Sequence, residues 1–221
     1  PQPVPRYGPH FRDRPVLAVG ETKFHGEPVV AVAADTKDAA EEGARLVKVE
    51  YEELPGVYSV DQALAADAPL VREPELRPDD DPLRDSNVLV KRTFGWGEVE
   101  AAEADLVIDE TYSFPMITHF AIEPHAFAAA PVEDGIAIWS TIQHPYLLQK
   151  LMAQLLDLPL AKVRVYAPDP GGGFGGKQNI KLEPLLAYMA LETGRPVRLV
   201  LTLDESFQAN RRTSAQIRVR S

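Results

Sequence analysis

The chain has 221 residues, of which 45% are hydrophobic, and this predicts a globular protein with a packed core in one large domain or two small ones. Its formal net charge of −10 argues against a nucleic-acid partner, because binding to phosphates needs a basic face. It contains no cysteine, so it can supply neither a disulfide nor the thiolates that hold an iron–sulfur cluster.

The first part of the chain predicts a β–α–β unit. The apolar run 29–34 is typical of a buried strand, and Asp35 or Thr36 is placed to cap a helix that ends near Leu46. The segment 47–51 then returns as a second strand.

A short helix and a linker are expected next. Ser59 and Gln62 have the S-x-x-Q spacing of a capping box ahead of a short helix at 63–66. The stretch 69–82 is rich in proline and acidic residues, which is typical of a linker. We therefore predict a domain boundary near residue 85.

Beyond that boundary the pattern predicts a sheet with two helices, which gives the whole chain an α+β (mixed α/β) character. Asp134 and Gly135 are expected to turn a hairpin. The expected strands are 88–94, 106–114, 126–132, 136–141, 162–167, 196–203 and 216–220. One helix has a core-facing stripe formed by Leu148, Leu151, Met152 and Leu155, and the other covers 181–192.

A glycine-rich loop stands between the strand 162–167 and the helix 181–192. Residues 171–177 read GGGFGGK, and glycine lets backbone N–H groups approach a ligand closely. A structural connection rarely needs more than one or two glycines, since each costs about 0.5–1 kcal/mol of chain entropy. We interpret the loop as ligand-binding, with a helix N-terminus nearby that favours anions. Lys177 is either an anion contact or a solvated lysine at the helix start.

The same residues satisfy the G-x-x-x-x-G-K spacing of a P-loop, which makes a nucleotide-binding domain an alternative. Gln178 stands where a P-loop needs Ser or Thr for magnesium, and the Walker-B-like run 106–110 precedes the loop instead of following it. Both departures argue against this alternative. No metal site is predicted from His119, Glu123 and His125, because two histidines six residues apart match no common helical ligand pair.

An ordered set of stretches resembles the large, molybdenum-binding subunit of molybdenum hydroxylases of the xanthine dehydrogenase and aldehyde oxidase type. The matching stretches are 15–32, 49–55, 140–143, 171–177 and 193–197. The resemblance implies a partial a/b hammerhead domain with a linker over 1–85 and the N-terminal part of the molybdopterin-binding domain over 86–221. It also implies a piece of the subunit, truncated at both ends and inactive by itself.

The resemblance also assigns a cofactor site. Gln143 would hydrogen-bond the molybdenum oxo ligand or the pterin, and the Phe174 N–H would point at an oxo group. The residues whose backbone would lie against the cofactor are Gly172, Gly173, Phe174 and Gly175. Gln178 would bind substrate at a position where xanthine-oxidising members carry glutamate, so aldehydes or other aromatics are expected at least as much as purines.

The family's general base lies near the end of a much longer subunit, so no catalytic residue is assigned in this chain, Glu183 and Glu205 included. By resemblance, the family oxidises an aldehyde or an N-heteroaromatic or purine carbon with oxygen from water, using a molybdenum pyranopterin (molybdopterin or its cytosine dinucleotide). Electrons then pass, by the same resemblance, to 2Fe-2S clusters and FAD on partner subunits or domains, which agrees with the absence of cysteine in this chain. The expected partners are those subunits, the remainder of the large subunit and a small-molecule substrate.

A cytoplasmic protein without a membrane partner is expected. No apolar run approaches the roughly 20 residues that span a bilayer, and the N-terminus lacks the apolar region of a signal peptide. A scaffold protein that descends from this family but holds no cofactor stays an alternative. Binding of partner subunits without any pterin would favour it.

Overall fold

The computed structural model describes residues 5–8, 11–97, 103–210 and 212–221. The chain divides into two compact units, the first made of 1–52 and 118–212 and the second of 53–117 and 213–221. The boundary near residue 85 stays a prediction. Within the described residues, no helix has the length and apolar character that crossing a membrane requires.

Helices and strands alternate irregularly, which confirms the α+β class. The strands are Arg6–Tyr7 (β1), Arg14–Pro15 (β2), Asp109–Phe114 (β3), Ala126–Val132 (β4), Gly135–Ser140 (β5), Val163–Tyr166 (β6), Val197–Val200 (β7) and Ala215–Arg220 (β8). The α-helices are Lys37–Leu46 (α1), Val60–Leu64 (α2), Pro145–Leu155 (α3), Glu183–Thr193 (α4) and Leu203–Ala209 (α5). Short 3-10 turns cover Pro74–Leu76 and Leu160–Lys162.

The first unit is built on a four-stranded mixed sheet in the order β6-β5-β4-β7. Strand β5 runs parallel to β6 and antiparallel to β4, and β4 is antiparallel to β7. Val132 pairs with Gly135, which confirms the predicted hairpin. A Cβ at Gly135 would lie 1.9 Å from the carbonyl oxygen of Lys162, so the approach of the chain beside β6 requires glycine there.

The core lies between this sheet and the helices α3 and α4. Leu148 and Met152 on α3 are fully buried, while Leu151 and Leu155 are partly buried against the same core, as the predicted stripe requires. Helix α4 buries residues all round, which is typical of a central helix. It ends at Gly194, whose φ of +64° is the left-handed cap that glycine favours.

The N-terminal segment forms the predicted helix but not the predicted strands. The Thr36 hydroxyl accepts a hydrogen bond from the Ala39 N–H, and this confirms the N-cap of α1. The predictions of strands at 29–34 and 47–51 are wrong, because a strand needs a paired neighbour and the described residues offer none to either segment. The apolar pattern of 29–34 still marks a packing face, since Ala31 contacts the core.

The second unit contains the antiparallel ribbon β3–β8 and the helix α2. The Ser59 hydroxyl caps α2 by accepting from the Gln62 N–H, so the cap is confirmed while the helix starts at Val60 instead of 63. The strand predicted at 106–114 forms only from Asp109 onward. The ribbon pairs Tyr112 with Ile217.

A buried arginine organises the stretch that the composition marks as a linker. Arg77 is 5% exposed, and its guanidinium donates to Asp81 Oδ2 at 2.8 Å and to the carbonyl oxygens of Val88 and Leu89 at 2.6 and 3.2 Å. The strand predicted at 88–94 is wrong, because its first two carbonyls bond a side chain and the described residues offer the segment no partner strand.

Candidate cofactor-binding site

The glycine-rich loop follows β6 and precedes α4, as the pattern predicts, but the helix N-terminus does not contribute an anion site. Helix α4 begins at Glu183, well past Lys177, and Glu183 is itself an acidic group in the first turn. Its carboxylate accepts from the Lys181 N–H at 2.7 Å and from the Ser140 hydroxyl at 2.8 Å. The prediction that this helix start favours an anion at the loop is thus wrong.

Three loop residues adopt left-handed backbone conformations. The φ angles are +100° at Gly172, +49° at Phe174 and +89° at Gly175. Glycine adopts such angles at no steric cost, but a phenylalanine with positive φ is strained. Phe174 is also 72% exposed, so no apolar packing offsets that strain. Strain of this kind clusters at functional sites.

The backbone N–H groups of the loop fall into two sets. The N–H groups at the ends of the loop donate hydrogen bonds. That of Gly171 donates to a Glu123 carboxylate oxygen and that of Gly176 to the Gly173 carbonyl. That of Lys177 donates to Gln143 Oε1 and that of Gln178 to the Gly175 carbonyl. The N–H groups of 172–175 have no partner among the residues that the structure describes. Consecutive free N–H groups in a turn that contains left-handed residues can bind anionic oxygens.

Gln143 lies directly against this loop. Its backbone N–H donates to the Lys177 carbonyl at 2.8 Å, and its Oε1 accepts from the Lys177 N–H at 3.1 Å. A Cβ at Gly173 would lie 2.7 Å from the Gln143 side-chain carbon, so this approach requires glycine. The structure thus brings together Gln143 and the four predicted loop residues.

The amide nitrogen of Gln143 remains available as a donor. Across the described part of the chain it has no hydrogen-bond partner, because only Oε1 bonds the loop. Gln178 is exposed beside Gly175, whose carbonyl accepts its N–H at 3.3 Å. The roles of Gln143 toward the cofactor and of Gln178 toward substrate stay predictions.

Lys177 corrects both expectations for it. It is only 2% exposed, so it is not a solvated lysine, and its ammonium lies 2.8 Å from Glu123 Oε1, so its charge is already paired. Burial raises the pKa of Glu123, but the hydrogen bonds from Lys177 and Gly171 outweigh it and leave that pKa below its ordinary value. A P-loop lysine must reach nucleotide phosphates, so this geometry contradicts the P-loop alternative.

Two histidines with lowered pKa values flank the loop. His125 is 5% exposed, and its Nε2 lies 3.5 Å from the Gly176 carbonyl oxygen. Burial, reinforced by the charge of Lys181, lowers the pKa of His125 to about 4. Burial likewise lowers the pKa of His119, which contacts Gly175 and Gly176. No cluster of three or more possible metal ligands occurs within the described ranges.

The two acids considered as bases are both engaged. Glu183 is buried, and burial raises its pKa. Glu205 forms a reciprocal capping box with Thr202 at the start of α5. Both carboxylates accept structural hydrogen bonds, and neither is assigned a catalytic role.

Two family profiles match the chain. The molybdopterin cofactor-binding domain covers residues 81–220, and the a/b hammerhead domain of aldehyde oxidase and xanthine dehydrogenase covers 2–55. The first match alone spans more than half of the chain. The chain belongs to the molybdenum hydroxylase large-subunit family. The resemblance carried by the glycine loop and its accompanying stretches is thereby confirmed.

Curated members of the molybdenum hydroxylase family align with nearly the whole chain. The nicotinate dehydrogenase large molybdopterin subunit of Eubacterium barkeri is 31% identical over 91% of this chain and 45% of its own length. The xanthine dehydrogenase of Drosophila pseudoobscura is 36% identical over 90% of this chain and 14% of its own length. The chain thus spans less than half the length of these two relatives.

Solved structures of molybdenum hydroxylases have the same fold. Aldehyde oxidoreductase of Desulfovibrio gigas matches with a TM-score of 0.78 and 27% identity over 96% of this chain and 23% of that chain. Quinoline 2-oxidoreductase of Pseudomonas putida matches with a TM-score of 0.71 and 29% identity over 87% of this chain and 24% of that chain. These matches agree with the domains that the family profiles identify.

Proposed function

We propose that this chain holds part of the molybdenum pyranopterin site of a hydroxylase that oxidises an aldehyde or an N-heteroaromatic substrate, purines included, with water as the oxygen source. The observation that supports it is the row of free N–H groups at 172–175 beside the free amide nitrogen of Gln143. Four unbonded backbone donors and one unbonded side-chain amide beside them suit a ligand rich in anionic oxygens.

The residues present fit such a group. Positive φ at Gly172 and Gly175 turns the backbone so that a ligand meets N–H groups, and no Cβ at these positions blocks it. The pyranopterin would place a redox-active molybdenum against this surface and supply the two-electron chemistry. Gln143 would orient the group, and 172–175 would donate hydrogen bonds to it.

The preorganised donors also have a catalytic consequence. The Phe174 N–H is held in place by a strained backbone whose ends are both hydrogen-bonded, so it need not reorganise when charge develops on an oxygen. One such fixed donor is typically worth about 3 kcal/mol of transition-state stabilisation. The exposed Phe174 ring would form an apolar wall beside the reacting group.

Gln178 would bind and orient substrate. Its amide is exposed close to Gly175 and carries no charge, so it can both donate to and accept from a heteroaromatic ring or a carbonyl. The names of the relatives include nicotinate, quinoline and aldehyde as substrates. These three classes are the first to be tested.

The complete enzyme would require further polypeptide. The remainder of a large subunit would supply the general base, and iron–sulfur and FAD-binding partners would carry electrons away, since this chain has no cysteine. We therefore infer that the chain alone is inactive and that the assembly works in the cytoplasm.

The test is the metal and pterin content of the protein purified from its native host with whatever co-purifies. Stoichiometric molybdenum and pterin, together with oxidation of nicotinate, quinoline or benzaldehyde and incorporation of oxygen from labelled water, are the expected results. A preparation that binds iron–sulfur and flavin partners but never contains molybdenum or pterin would contradict the proposal and favour a scaffold.

A further inference from the structure

The two ends of the glycine loop meet at one carboxylate. One oxygen of Glu123 accepts the Gly171 N–H at the start of the loop, and the other lies 2.8 Å from the Lys177 ammonium at its end. We infer that Glu123 is a positioning residue that fixes the direction of the free N–H groups at 172–175. That this orientation serves cofactor binding rests on the proposed function. That Glu123 restrains the loop does not.

A bridge of this kind restricts the loop more than two separate contacts would. Because both bonds end on one planar carboxylate, neither end of the loop moves without breaking a bond to a charged group. The Lys177 side chain is 1% exposed, so solvent does not compete for its ammonium. Removing Glu123 would leave that buried charge unpaired.

The segment that carries Glu123 also follows the loop along its length. Ala121 would lie 3.7 Å from a Cβ at Gly172, and His119 would lie 3.8 and 3.1 Å from a Cβ at Gly175 and at Gly176. The His125 ring lies beside the Gly176 carbonyl. Glu123 therefore ties the loop to a stretch of chain that already packs against it, and this supports a positioning role.

The test is hydrogen–deuterium exchange on the full-length protein with its co-purifying subunits, comparing wild type with Glu123→Gln. Glutamine keeps one acceptor but cannot bridge both ends. We expect the bonded amides of Gly176, Lys177 and Gln178 to exchange roughly tenfold faster or more, with β4 and β5 unchanged. The Mo(V) electron paramagnetic resonance spectrum of the loaded enzyme should shift as well. The matched control is Glu133→Gln in the exposed hairpin turn, which should behave as wild type.

Faster exchange at Gly171 alone, or at no loop amide, would overturn the inference and leave Glu123 a local contact. The double variant E123Q/K177M also removes the buried lysine charge, so faster exchange that persists in this variant comes from the lost bridge. If E123Q alone fails to fold, the double variant takes its place in the test. Wild type without pterin would refute the proposed function only, since exchange is measured with or without the cofactor.

Discussion

Gln143 and Lys177 are joined by two hydrogen bonds that run in opposite directions. The Gln143 N–H donates to the Lys177 carbonyl at 2.8 Å, and the Lys177 N–H donates to Gln143 Oε1 at 3.1 Å. The end of β5 and the end of the glycine loop are thereby held together. Any ligand that contacts both is bound by a single rigid surface.

Replacing Gln143 separates its two roles. Gln143→Glu keeps an acceptor for the Lys177 N–H but loses the donor amide, so we expect nearly unchanged unfolding and reduced pterin content. Gln143→Ala leaves that N–H without its partner and should cost about 1–3 kcal/mol of unfolding free energy as well. Denaturant titration and pterin assay of the two variants check this, and equal stability loss in both would contradict it.

Gly173→Ala should displace the Gln143 side chain, because the new Cβ would lie 2.7 Å from the Gln143 side-chain carbon. We expect a large loss of pterin, measured by fluorescence of the oxidised cofactor. Gly95→Ala is the control, since a Cβ there meets nothing within 4 Å. Retention of pterin by the Gly173 variant would show that the close approach is dispensable.

His125 should make the protein less stable in mild acid. Its pKa falls from 6.5 in the unfolded chain to about 4 in the folded one, so its contribution is intact above pH 6.5. Between 6.5 and 4 the unfolded chain binds the extra proton, and stability falls by at most about 1.4 kcal/mol per pH unit. Unfolding titrations across this range should show a shallower slope for His125→Gln than for wild type, and equal slopes for the two would contradict the prediction.

Arg77→Met should loosen the second unit. The change removes the guanidinium donor to the carbonyls of Val88 and Leu89, and because both bonds are only partly buried the cost should be about 1 kcal/mol. We expect proteolysis within 69–97 to accelerate while the first unit stays protected. The exposed Arg92→Met is the matched control, and equal proteolysis of both variants would rule out the proposed role.

Short sequence patterns predict those parts of the fold that depend only on neighbouring residues. The Thr36 and Ser59 caps, the hairpin at Gly135 and the stripe on α3 each need only a few neighbouring residues, and each is confirmed. The strand predicted at 88–94 is wrong because its outcome depends on Arg77, which lies outside the segment. Apolar alternation indicates a packing face but not the presence of a paired strand.

The candidate site shows the same division. Glycine content marks the loop, and the shared motif marks Gln143, so both are visible in the sequence. The partnership of Glu123 with Lys177 spans 54 residues of chain and follows no short-range pattern. A lysine at the end of a ligand loop needs a counter-charge if it is buried, but burial is a tertiary property that the sequence does not give.

The burial of the Lys177 ammonium, whose side chain is 1% exposed beside the partly exposed Glu123, has a consequence for the conditions under which the loop keeps its shape. Dissolved ions weaken attraction between charges on a protein surface over about 8 Å at physiological ionic strength, but they reach enclosed charges far less. The loop geometry should therefore be indifferent to the salt content of its surroundings.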